Sequence, residues 1–332
     1  MMRGKKLENI KSILIIGLSS IGDNLLISPV IKLIQEKYPD ASIDIVVGPR
    51  AIDFAKDNPV FSNFYVWDKS SGILTLKRMM KNQQYDMIVD FRNSFIPFFL
   101  RGKFKLTCFK REFFSDKFST HESERTLQLF KSYFGMPEKI ELYFPLKNEE
   151  IQQFKKSLHD IIDFEKKDKI FVLNPGAAFE KKRWKKENFA ETGKKIISKY
   201  GGKILIVGNN KEFELAEEIR QKINSEKALN LAGKISFRCL AYILSESSLL
   251  ITNDTGTMHL ASAMKCPIIA IFGPGNPHRY GPIGTKNIVL HTRMDCFPCI
   301  LESKCKKNFV CMNDVSVEDV MNAVSQILNQ HQ

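Results

Sequence analysis

The sequence predicts two doubly wound α/β domains, each built on a parallel sheet. Three observations carry this. Apolar β-type runs alternate with helix-period segments nearly throughout, the pattern of parallel strands covered by helices on both faces. The length of 332 residues suits two domains of ordinary size. A charged stretch at 147–169 divides the chain, with Ile151, Phe154, Leu158, Ile161 and Ile162 at helical spacing.

In the first half, strands are expected near 12–17, 42–47, 63–66, 86–90 and 104–107, and helices near 24–37, 72–82 and 121–134. Leu26, Val30, Leu33 and Ile34 share one face of the first helix, and Pro29 falls early in it, where a missing N–H is tolerated or kinks the chain. In the second half, strands are expected near 169–173, 203–207, 248–251 and 267–271, and helices near 187–199, 211–223, 236–245 and 256–264. The last segment reads as a capped amphipathic helix. Ser316 is followed three residues later by Asp319, and Val317, Val320, Met321, Val324 and Leu328 form its apolar face. The predicted organisation is 1–146, a linker helix at 147–168, a second domain at 169–315 and a terminal helix at 316–332. Two such domains facing each other place a cleft at the carboxyl ends of both sheets, where open α/β sheets bind ligands.

A hydrophobic fraction of 43% supports real cores, and no apolar run approaches the roughly 18–20 residues that span a bilayer. The basic N-terminus and short apolar run after it read as a first buried strand rather than a leader, so the expectation is a soluble cytoplasmic protein. The net charge is +13. Nucleic acid, an anionic membrane surface and an acidic substrate compete to explain it.

Candidate sites lie just after strands. Gly17-Leu-Ser-Ser-Ile-Gly22-Asp23-Asn24 follows the run Ile13 to Ile16. It has the glycine skeleton of a phosphate-cradling loop, but Asp23 stands where that motif needs lysine. A carboxylate there repels phosphate. Gly22 allows a tight turn, and Asp23 is either a helix-start partner or a general base. Asn174 to Trp184 combines Pro175 and Gly176 with Lys181, Lys182 and Arg183, either a diphosphate loop or a solvated basic one.

Asn253-Asp254-Thr255-Gly256-Thr257-Met258-His259 follows another apolar run. Asp254 or Thr255 is expected to cap the next helix, whose N–H groups suit phosphate, leaving Asp254 for sugar hydroxyls. His259 falls inside that helix, as a core histidine or a site residue. Phe272-Gly273-Pro274-Gly275-Asn276-Pro277 is a turn at the same sheet end, and Glu212 opens a helix after Val207-Gly208-Asn209. From Phe98 to Phe118, six cations interleave with seven phenylalanines. This is either a surface for an anionic headgroup or phosphorylated glycan, or an ordinary solvated unit. Cys108, Cys239 and Cys266 read as small core residues. Cys296, Cys299, Cys305 and Cys311 read either as a structural zinc or iron site or as free thiols.

Taken in order, these segments resemble glycosyltransferase family 9, the ADP-heptose–lipopolysaccharide heptosyltransferases. The likeness runs over nearly the whole chain. It rests on Ile16 to Pro29 with its Gly-Asp pair, on Asn174-Pro-Gly-Ala with Lys182-Arg-Trp184, and on Asn253 to Ala261 with Phe272-Gly273-Pro274. The resemblance implies a GT-B fold with an N-terminal acceptor-binding and a C-terminal nucleotide-sugar-binding domain. It implies an inverting transfer of heptose from ADP-heptose to an inner-core sugar hydroxyl. Asp23 is then the general base and Lys182 the cation on the leaving diphosphate. Thr255 and Gly256 bind phosphate, Asp254 binds heptose hydroxyls, and Glu212 lies near the ribose. Gly22, Gly176, Thr257 and His259 belong to the same substrate-binding set. No metal is required for the chemistry. The implied partners are the nucleotide sugar, an anionic glycolipid and the cytoplasmic face of the inner membrane, with no nucleic acid.

Other readings fit less well. An NAD-dependent oxidoreductase needs a G-x-G-x-x-G after the first strand, which is lacking here. A nucleic-acid binder explains the charge and the cysteines but not the polar loops at strand ends. A family member with another donor or a protein acceptor, and a sugar-nucleotide epimerase of similar fold, are the enzymatic alternatives.

Overall fold

The computed structural model describes residues 8–81, 83–107, 119–162, 169–284, 286–297, 299, 305 and 310–329. The chain divides into two compact units, Met1–Pro145 and Leu146–Gln332.

The first unit runs β1 (Ser12–Ile16), α1 (Ile21–Lys37), β2 (Ser42–Val47), α2 (Ile52–Ala55), β3 (Asn63–Val66), α3 (Gly72–Met79), β4 (Gln84–Asp90), α4 (Ile96–Phe99), β5 (Arg101–Thr107) and α5 (Glu122–Phe134). Its sheet has the order β3-β2-β1-β4-β5, and every pairing is parallel. Ile13 to Ile16 are wholly buried, as the central strand of a sheet covered on both faces must be. The helix expected from residue 24 starts at Ile21. Gly22 therefore lies inside the first turn of α1 rather than in a tight turn before it. The close turn is made instead at Gly17, where a Cβ would sit 2.6 Å from Asn24 Oδ1. Pro29 lies in the interior of α1 and is buried.

The second unit runs α6 (Asn148–Leu158), β6 (Ile170–Asn174), α7 (Lys186–Tyr200), β7 (Lys203–Ile206), α8 (Phe213–Ile223), β8 (Ala228–Asn230), α9 (Phe237–Ser245), β9 (Leu249–Asn253), α10 (Gly256–Ala263), β10 (Ile268–Phe272), α11 (Pro277–Tyr280), β11 (Asn287–His291) and α12 (Val317–Asn329). The sheet order is β11-β10-β9-β6-β7-β8, again parallel throughout. Its core joins Phe171, Trp184, Phe189 and Ile251 with Val320 and Val324 of α12. Trp184 and Phe189 meet edge to face at 5.1 Å. The Ser316–Asp319 capping box forms as the sequence predicts, with Ser316 Oγ donating to Asp319 and accepting from its N–H.

The stretch expected to link the domains packs on the second unit. Phe154 of α6 stacks on Tyr242 of α9 at 6.2 Å. Arg238 of α9, buried, makes a bidentate pair with Glu150 of α6. This pair sets a measurable dependence. Breaking a buried ion pair from one side leaves the other charge bare, at about 3–5 kcal/mol. Glu150→Ala is expected to lower the unfolding free energy by that order in urea denaturation. The Arg238 hydrogen bonds hold the Glu150 carboxyl below its usual range. Its contribution is therefore fully present above the ordinary carboxylate value of about 4.3, and is lost as pH falls through the lower folded value.

Candidate active site

The first unit's site is the β1–α1 turn. Ser20 caps α1 in an extended conformation, with φ −116° and ψ 157°. Its hydroxyl donates to Asp23 Oδ2 at 2.7 Å and accepts from Asp23 N–H at 3.2 Å. Asp23 is thus a reciprocal capping partner and also exposed to solvent. The turn is stapled by Asn24, which is wholly buried. Its side-chain oxygen accepts from Leu18 N–H at 2.9 Å, and its NH2 donates to the carbonyls of Leu18 and Ser20. Arg92, after β4, donates from Nε to the Gly17 carbonyl at 2.5 Å and lies over the Trp67 ring at 5.5 Å. The exposed carboxylate of Asp23 stands on this fixed frame.

The second unit's site is built from loops after β6, β7, β9 and β10. Asn174 and Asn253 end β6 and β9, which are neighbours in the sheet. Asn174 Nδ2 donates to Thr252 Oγ1 at 3.1 Å and to Thr255 Oγ1 at 2.9 Å. Asn253 Nδ2 donates to the carbonyls of Pro175 and Gly176, and its Oδ1 accepts from Trp184 N–H at 3.0 Å. Each asparagine ties one loop to the other.

This lacing brings Lys182 to Asp254. Lys182 Nζ lies 3.1 Å from Asp254 Oδ2, with the two side chains 20% and 16% exposed. Asp254 thus holds a cation in this structure, a pairing the sequence did not predict. Gly275 packs against it, since a Cβ there would come within 2.7 Å of Asp254 Oδ2. Thr255 occupies the N-cap of α10 in extended backbone, yet makes no side-chain cap bond. Its hydroxyl is engaged by Asn174 instead. The α10 start, with Gly256 and Thr257 in its first turn, thus lacks a side-chain cap from Thr255. Met258 and His259 are buried along α10.

Glu212 closes a 3-10 turn, Asn210–Glu212, ahead of α8. Its Oε2 accepts from Asn209 N–H at 2.9 Å, a capping box, and Arg183 Nη2 approaches its Oε1 at 4.0 Å. Gly176 lies so close that a Cβ would fall 2.1 Å from Glu212 Oε1. The two residues singled out in separate motifs are thus in contact.

Cys296, Cys299, Cys305 and Cys311 line one pocket together with Gly273 and Pro274. Burial pushes the Cys311 thiol up, and the nearby Cys305, Cys296 and Cys299 add to the rise. Among the described residues no three His, Cys, Asp or Glu side chains form a set able to hold a metal ion. Cys299 N–H donates to the Pro274 carbonyl at 3.2 Å, which joins this pocket to the loop beside Asp254. Cys239 and Cys266 are buried core thiols, pushed up by burial to about 11 and about 12. Cys108 and the 108–118 part of the aromatic stretch lie outside the described residues. Among the described residues no helix is long and apolar enough to cross a membrane.

In the sequence, Asn24, Asn174 and Asn253 are quoted within the motifs without being given a role, and Arg92 is not singled out. Asn174 and Asn253 carry a usable signal: a strand-averse amide directly at the end of an apolar β run. Arg92 carries no such signal.

Two parallel-sheet α/β units with polar loops at their strand ends match the GT-B class of fold. Solved structures agree on the fold. That of a family 9 glycosyl transferase from Veillonella parvula superposes with TM-score 0.78 at 24% identity, covering 98% of this chain and 99% of that one. The E. coli ADP-heptose LPS heptosyltransferase II superposes with TM-score 0.75 at 21% identity, covering 96% and 99%. By sequence, the chain is 28% identical to lipooligosaccharide heptosyltransferase 2 of Campylobacter jejuni over 318 residues, 94% of this chain and 97% of that protein. The model of glycosyltransferase family 9 (heptosyltransferase) matches residues 73–309, and the chain belongs to that family.

The Asn253 clamp is open to test. Asn253→Ala leaves the Trp184 N–H buried and unpartnered at about 1–3 kcal/mol. A lower melting temperature than the wild type's is expected. An unchanged melting temperature would show that the loops hold their places without it.

Proposed function

We propose that this chain transfers heptose from ADP-heptose to a sugar hydroxyl of the lipopolysaccharide inner core, with inversion. The observation that supports this most directly is the Lys182–Asp254 pair beside the start of α10, in a chain of family 9. A cation and a helix N-terminus suit a diphosphate, and a carboxylate suits the hydroxyls of the sugar attached to it. Glu212 and Gly176 shape the nucleoside end, with Thr257 and His259 supporting the α10 turn. ADP-heptose and LPS stand in the name of the E. coli heptosyltransferase II, and lipooligosaccharide in that of the Campylobacter jejuni relative, which supports this reading.

In this reading Asp23 takes the proton of the acceptor hydroxyl. That oxygen bonds to the anomeric carbon as the bond to the diphosphate breaks, and the electron pair leaves with ADP. Lys182 and the α10 N–H groups meet the charge that develops on the leaving group. Gly22 places Asp23 in the first turn of α1, with Ser20 fixing its carboxylate. No metal is assigned a step.

Asp23→Asn keeps a partner for Ser20 but removes the base. A fall in kcat of about 10²–10⁴-fold is expected, with ADP and ADP-heptose bound as tightly as by the wild type in calorimetry. Full transfer by this variant would overturn the base, and tighter binding of UDP than ADP would overturn the donor.

For the cysteine pocket we propose a structural zinc or iron ion that draws the four thiolates together. Soft thiolates suit both metals, and the lining of one pocket by all four cysteines supports it. About one equivalent of metal is expected by elemental analysis of the purified protein, falling when Cys296 and Cys299 are replaced by serine. Metal-free protein of full activity and unchanged melting temperature would overturn it.

A further inference from the structure

Arg92 is held as a cation in a place where a charge is costly. Both of its terminal nitrogens, Nη1 and Nη2, are buried and find no hydrogen-bond partner among the described residues. Burial pushes the guanidinium down from its ordinary value, and the charge of Asp90 opposes this. Asp90 is itself wholly buried. Its oxygens accept from the N–H groups of Arg92 and Ser94 and from the Ser94 hydroxyl, so it steadies the guanidinium through space. An apolar side chain would pack against the Trp67 ring without the penalty of a buried charge. What such a side chain could not do is donate from Nε to the Gly17 carbonyl, as Arg92 does at 2.5 Å.

Gly17 opens the turn that carries Ser20 and Asp23. Toward β2 this turn has several ties. Gly17 N–H donates to the Val46 carbonyl, Gly48 N–H donates to the Leu18 carbonyl, and Ser20 forms a bridge with Arg50. Asn24 binds the turn to its own helix. Toward β4, the bond from Phe91 N–H ends on Ile16, and it is the Arg92 side chain that reaches the turn. The planar guanidinium donates from one edge while its face lies over Trp67, 5.5 Å from the ring centre. A lysine cannot do both. We infer that Arg92 is a positioning residue for Asp23: it fixes the Gly17 carbonyl from the β4 side, and with it the Ser20–Asp23 cap that presents the carboxylate. This rests on the reading of Asp23 as the general base.

The test is a double-mutant cycle in the full chain, read as heptose transfer from ADP-heptose to heptose-free lipopolysaccharide inner core. Arg92→Gln is expected to lower kcat by about 10²-fold, the effect of misplacing a reacting group by about 1 Å. Its affinity for ADP in calorimetry is expected to match the wild type, because the diphosphate groups lie in the second unit. Arg92→Gln combined with Asp23→Asn is expected to be no slower than Asp23→Asn alone, since an absent base cannot be misplaced. Arg92→Lys keeps the charge without the edge-and-face geometry. It is expected to stay about tenfold or more below the wild type, and it carries the test where Arg92→Gln does not fold. Wild-type kcat in either Arg92 variant, beside an impaired Asp23→Asn, would overturn the inference and leave the base standing. So would losses that multiply in the double variant. Full transfer by Asp23→Asn would instead overturn the base, and the role of Arg92 with it.

Discussion

Asn253 is wholly buried at the carboxyl end of β9, and the second unit's site rests on its amide. A buried amide must find partners for both of its ends. Here those partners are backbone groups of the loop after β6, on the neighbouring strand. With Asn174 reaching in the other direction to Thr255, two loops joined by bonds that span 69 and 81 residues of sequence become one surface. The cation, the carboxylate and the helix start come together only because that surface is continuous. The parallel sheet supplies the alignment, since β6 and β9 end side by side.

The first unit solves a similar problem with the same chemistry. Asn24 staples the chain between β1 and α1, and Gly17 gives it room. Ser20 and Asp23 then complete each other. The result is an exposed carboxylate with a defined orientation at the mouth of a central strand. Capping and a role in chemistry are therefore compatible. The cap fixes one carboxylate oxygen and leaves the group open to water.

The alternation of apolar runs made the two sheets legible, because buried parallel strands read as continuous hydrophobic segments. The short edge strand Ala228–Asn230 and the half-exposed Asn287–His291 were not legible, since neither has the length or the apolar density that burial on both faces imposes. The helix start at Ile21 was misjudged because Gly22 reads as a turn former, whereas the Ser20 cap overrides it. In the site, Lys182, Asp254 and Glu212 stood out by charge. Their mutual contacts did not, because the Lys182–Asp254 pair and the Gly176–Glu212 approach join residues from different strands. Only register and sheet order bring these together.

The Lys182–Asp254 pair has a consequence for selectivity. A site that already neutralises itself offers little to a stray anion. Orthophosphate or a simple salt would have to part the lysine from the aspartate and strand a partly buried carboxylate with nothing to accept from. A molecule that presents a diphosphate joined to a polyol satisfies both halves at once, and so can separate them without leaving either one bare. Under the proposed transfer, the ion pair works as a two-key lock, opened by ligands that carry both kinds of group in one covalent piece.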